Sequence, residues 1–96
     1  GRLSKSAIRP AEMKYRVILS RSARKQLERL SDETETRILA RLTELESNPR
    51  PAGCKKLVNR DAWRIRAGDY RVIYEIHDKI LQVIIVTVGH RREVYR

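Results

Sequence analysis

The hydrophobic period of this chain changes at one loop, which separates a mainly helical part from a stranded part. Up to Ser47 apolar residues recur mainly at helical spacing. After the loop signature Asn48-Pro49-Arg50-Pro51-Ala52-Gly53 they alternate with polar ones, the two-residue period of a strand. Ahead of the helices, Tyr15-Val17-Leu19 also alternates and predicts a short strand. Ser20 is placed to cap a helix whose inner face is Ala23, Leu27 and Leu30, because a serine hydroxyl accepts from first-turn N–H groups. Ser31-Asp32 ends that helix and begins a second, with Glu33 and Glu35 near its positive dipole end. Ile38, Leu42 and Leu45, widened by Leu39, form its predicted buried stripe.

Beyond the loop, Lys55-Lys56-Leu57 reads as a short edge piece. Trp63, Ile65 and Ala67 alternate with Arg64 and Arg66, Gly68-Asp69 is a turn signal, and a second strand runs from Tyr70 to Ile76. His77-Asp78-Lys79 turns into Ile80 to Val88, a run apolar on both faces that predicts a central strand covered on both sides. The order is β-α-α-β-β-β: an α+β domain with an N-terminal helical hairpin packed on a twisted, mainly antiparallel sheet. Residues 1–13, with Pro10 and no sustained period, read as a mobile N-terminal tail ahead of a single domain over 14–96.

The chain has 22 Lys and Arg against 12 Asp and Glu, a net charge of +10 on 96 residues. Such an excess implies a polyanionic partner, either nucleic acid or an acidic protein. Apolar residues make up 41% of the chain, which argues against disorder. The longest apolar run, residues 83–88, includes Thr87 and falls far short of the roughly 18 residues a membrane helix needs. With no apolar secretion segment at the start, the expectation is a cytoplasmic protein that does not engage membranes. Cys54 stands alone and no Cys/His cluster has ligand spacing, so neither a metal nor another cofactor is expected.

Successive strand residues point to opposite faces, so Arg64 and Arg66 project together if Trp63, Ile65 and Ala67 face the helices. Arg71 lies just across the turn, Arg91 and Arg92 follow the last strand, and Tyr95 comes within four residues of Arg91. Gathered on one face, these groups make a cationic groove with a phenol and without a carboxylate pair, a nucleophilic serine or a metal cage. Such a set suits phosphodiester chemistry, since guanidinium forks bind phosphate oxygens and stabilise charge in the transition state. RNA carries its own nucleophile, the 2′-hydroxyl. Tyr95 is the proton-transfer candidate, because neighbouring cations favour the phenolate. The same arginines also suit a solvated or protein-binding face, a terminal tyrosine also suits an anchor, and His90 suits proton exchange or backbone binding equally. Composition and spacing alone lead to a cationic domain that engages RNA or an acidic protein.

Three segments carry a family likeness. Tyr15-Arg16-Val17-Ile18-Leu19-Ser20, the stretch Trp63-Arg64-Ile65-Arg66-Ala67-Gly68-Asp69-Tyr70-Arg71-Val72-Ile73-Tyr74, and the ending Val88-Gly89-His90-Arg91-Arg92-Glu93-Val94-Tyr95 together resemble a RelE toxin of the RelE/ParE superfamily. The resemblance implies a toxin of a type II toxin–antitoxin pair that cuts mRNA in the ribosomal A site without a metal, through 2′-hydroxyl attack. By the same resemblance Tyr95 is the general base and Arg91 and Arg71 stabilise the phosphate. Arg64 and Arg66 stand where familiar relatives have lysines; they keep the charge but part with a proton far less readily. His90 is the substitute proton donor. Lys55, Lys56 and Arg92 are expected to contact RNA. A cognate antitoxin is implied as partner, with a segment that lies on the helical hairpin or displaces the C-terminal stretch. The rival expectations are a ParE-like, non-catalytic inhibitor of DNA gyrase and a plain RNA-binding module. Arg91 with Tyr95 is the feature that separates the nuclease from the gyrase poison.

Overall fold

The computed structural model describes residues 14–90, so the expected tail over 1–13 lies outside the described residues. Strand β1 (Arg16–Leu19) leads into helix α1 (Arg21–Glu28) and helix α2 (Asp32–Ser47). Then come β2 (Lys55–Lys56), β3 (Trp63–Ala67), β4 (Tyr70–His77), a single 3₁₀ turn (Asp78–Ile80) and β5 (Gln82–His90).

Both helices begin where serine hydroxyls cap them. Ser20 Oγ accepts from Ala23 N–H at 3.0 Å and Ser31 Oγ from Thr34 N–H at 3.2 Å, each relieving one orphan donor of a first turn. Ala23 and Leu27 of α1 and Ile38, Leu42 and Leu45 of α2 are buried as their spacing predicts. Leu39 departs from expectation. It is 42% exposed, at the margin of an apolar groove formed by Val17, Leu19 and Leu42 between β1 and α2. A helix lying on a sheet buries a stripe narrower than its apolar residues allow.

The five strands are ordered β1-β5-β4-β3-β2, with β1 and β5 parallel and every other neighbour antiparallel. The predicted edge piece is β2, and β5 is central. Among the described residues, helices cover one face only. Ile65, Ala67, Val72, Tyr74, Val83, Ile85 and Val88 point into the core beneath them. Each fully buried residue of this size contributes about 1.5–3 kcal/mol of transfer free energy. The expectation that β5 is covered on both sides is therefore corrected. Ile84, paired with Ile18 on the face away from the described helices, is only half-buried, whereas its neighbours Val83 and Ile85 on the helical face are fully buried.

A bulge between Ile73 and Tyr74 and the facing residues of β5 leaves Val86 outside the register. Its carbonyl accepts from Ser20 Oγ at 3.0 Å, so one hydroxyl both caps α1 and ties it to the sheet. Tyr74, fully buried, donates its hydroxyl to Pro49 O at 2.8 Å and fixes the loop after α2. Burial is the main reason its phenol is pushed well above the ordinary tyrosine range.

Candidate functional site

Hairpin β3–β4 positions the arginines. Gly68 opens its two-residue turn at φ +63°, while Asp69 keeps a negative φ, the sign pattern of a II′ turn. A Cβ at Gly68 would also stand 3.3 Å from Arg37 Nη1. The turn fixes the register, which sets Arg66 opposite Arg71 and Arg64 opposite Ile73. Directly opposed residues share a face with Cβ atoms about 4.5–5.5 Å apart.

Carried across the sheet, the register gives two neighbouring rows on the face away from the helices. One is Arg66, Arg71 and Gly89; the other is Lys55, Arg64, Ile73 and Thr87. Four cations thus occupy adjacent positions of three strands, and neither row contains a carboxylate. Gly89 leaves the flank of Arg71 on the β5 side without a side chain. Arg71 is 7% exposed and its Nη1 donates to Tyr70 O at 3.4 Å, whereas Arg66 is exposed. A buried guanidinium beside an exposed one gives the patch a fixed charge at its base and a movable one at its rim.

The structure separates two other candidates from this cluster. Lys56 is paired with Trp63, on the opposite face from Lys55, and lies 3.7 Å from Asp61. His90 is paired with Tyr70, and the two rings meet edge to face at 5.6 Å between centroids. Its ring lines a cleft with Gln26, Arg29 and Leu30 on the helical side. Strand alternation therefore turns His90 away from the face that carries Arg71, contrary to the expected donor role there. Arg91, Arg92 and Tyr95 lie outside the described residues.

One polar cluster carried no signal in the sequence. Tyr15 donates its hydroxyl to Asp78 Oδ1 at 2.5 Å, and Arg50 reaches both oxygens of Asp78 at 3.3 and 2.9 Å. The Arg50 guanidinium also lies 5.2 Å from the Trp63 ring centroid, within cation–π reach. These residues tie the β4–β5 connection to the start of β1 and to the loop after α2. Hydrogen bonds from Arg50, then from Tyr15, hold the Asp78 carboxyl below its ordinary range. The bond to Asp78 raises the Tyr15 phenol.

Among the described residues, no group of three or more His, Cys, Asp or Glu side chains is arranged to hold a metal ion. Nor is any described helix long and apolar enough to cross a membrane. The rows can hold the oxygens of a phosphodiester through paired forks and stabilise added negative charge at phosphorus.

Comparison with known proteins agrees with this architecture. The family described as the ParE toxin of the type II toxin–antitoxin system parDE matches residues 17–95. Toxin RelG of Mycobacterium tuberculosis is 32% identical over 90 residues, covering 88% of this chain and 99% of that protein. The archaeal RelE–RelB complex from Pyrococcus horikoshii superposes with a TM-score of 0.74 at 33% identity, over 82% of this chain and 97% of its counterpart. The isolated E. coli RelE toxin gives a TM-score of 0.71 at 26% identity, over 84% and 90% of the two chains.

Proposed function

The chain belongs to the RelE/ParE superfamily of type II toxin–antitoxin toxins, and from that premise we propose that it is a cytoplasmic, ribosome-dependent endoribonuclease that cuts mRNA in the A site. The observation that carries the reading is the pair of cationic rows, Arg66-Arg71-Gly89 beside Lys55-Arg64. In this reading the message backbone lies across the rows. The 2′-oxygen attacks phosphorus, its proton passes to the Tyr95 phenolate, and the bond to the 5′-oxygen breaks to leave a 2′,3′-cyclic phosphate. The departing 5′-oxygen takes up a proton from water. Arg71 and Arg91 stabilise the charge on the phosphoryl oxygens, and Arg64 and Arg66 add to the field. Lys55 and Arg92 hold the strand without contributing to the chemistry. The ribosome supplies the geometry that so sparse a set of groups needs, by presenting a constrained message.

RelE–RelB complexes among the structural relatives support a cognate antitoxin partner. An acidic segment of that partner, lying over the rows, would neutralise their charge.

The test is cleavage of a defined message with and without ribosomes, mapped to the nucleotide, for the wild type and Arg71→Ala. Ribosome-dependent cuts lost in the variant are expected. The match to the ParE family favours one rival, a non-catalytic poison of DNA gyrase. That reading predicts intact message in every lane and inhibition of gyrase supercoiling.

A further inference from the structure

Strand β5 continues past its partner β1. The parallel ladder joins Arg16–Leu19 to residues 82–85 only, and Ser20 N–H closes it on Ile85 O at 3.0 Å. From Val86 onward no strand among the described residues lies beside the edge of β5 on that side. Backbone groups there still require partners, since burying an unpaired N–H is costly. Helix α1 takes over. Ser20 Oγ serves Val86 O, and two residues further along the strand Gln26 Oε1 accepts from Val88 N–H at 2.7 Å.

Nothing in the helix itself requires glutamine at this position. Helix α1 is capped by Ser20 and buried through Ala23 and Leu27. The Gln26 bond instead acts on the strand, one residue before Gly89, the cross-strand partner of Arg71. It also holds the last length of β5 before the chain that carries Arg91 and Tyr95.

We propose that Gln26 is a positioning residue for message cleavage, its amide oxygen fixing the end of β5 through Val88 N–H so that Gly89 and the Arg71 row beside it keep one alignment. This rests on the endoribonuclease reading. The test compares Gln26→Met, of similar length but without an acceptor, with Gln26→Glu, which keeps one. In single-turnover cleavage on ribosomes, Gln26→Met is expected to be slower by about tenfold or more at saturating ribosome, with half-saturation unchanged within about twofold, because small misplacements at a reacting centre carry penalties of this order. Gln26→Glu is expected to restore the rate. Amide exchange at Val88 should be about tenfold faster in the methionine variant alone. Wild-type cleavage by Gln26→Met with accelerated exchange at Val88 would overturn the proposal. If the wild type itself leaves messages intact, the nuclease reading fails and the positioning claim is decided by NMR. Amide shifts of Gly89 and Arg71 displaced by Met and restored by Glu support it; unmoved shifts refute it.

Discussion

Arg66 and Arg71 stand directly opposite each other across the β3–β4 ladder, on the sheet face turned away from the helices. Like charges so placed destabilise a strand pair, by a few tenths of a kcal/mol to about 1 kcal/mol. The pairing is therefore expected to trade stability for function. Arg66→Thr, which keeps strand propensity and removes the exposed charge, should raise the unfolding free energy by about 0.2–1 kcal/mol in urea titrations. The same variant should cleave message more slowly. A variant that is no more stable and no slower would show that the pair carries neither strain nor function.

Tyr95→Phe removes only a hydroxyl. If the phenol takes the 2′ proton, single-turnover cleavage should fall by about 100-fold or more, while ribosome binding and the unfolding midpoint stay at wild-type values. Arg71→Lys keeps charge and loses the fork, so it should retain binding and lose most of the chemical rate. Equal rates for all three proteins would remove both residues from the mechanism.

The two adjacent lysines should behave differently, because the strand turns them to opposite faces. Lys55→Ala is expected to weaken ribosome or RNA binding and to lower the slope of log affinity against log salt by about 0.7, one contact's share on a single strand. Lys56→Ala, beside Asp61, should leave that slope unchanged. Matching slopes for the two variants would contradict the observed register.

The Tyr15–Asp78–Arg50 cluster predicts a pH signature. Because the Asp78 value is depressed in the fold, its ionised form contributes stability above the ordinary carboxylate value near about 4, and this is lost as pH falls through the folded value. The Tyr15 value is raised, so its neutral phenol contributes below the ordinary value near about 10, and this is lost as pH rises through the raised one. Asp78→Asn should thus be less stable than wild type across the neutral range, with the gap closing at both extremes. Parallel midpoint–pH curves would show that the cluster does not couple to folding.

What could be read from the residues was what depends on local period and capping. Ser20, Ser31, the apolar faces of both helices, the Gly68-Asp69 turn and hence the shared face of Arg64, Arg66 and Arg71 all follow from spacing within a few positions. Long-range partners left no such mark. Nothing near Tyr15 announces Asp78, 63 residues away, and nothing near Gln26 announces Val88, 62 away. The opposite placements of His90 and Arg71 required the register of β5 against β4, which a hydrophobic run with a bulge does not encode. The exposure of Leu39 is not legible either, because apolarity does not say how wide a stripe the sheet can receive.

Strand β5, the last of the described strands in the chain, lies inside the sheet between β1 and β4. On a growing polypeptide β1 waits for its strand partners at residues 82–85, and the helices have only part of a floor to settle on before then. Until then Arg71 has no Gly89 opposite it, and the row that the two share with Arg66 is incomplete.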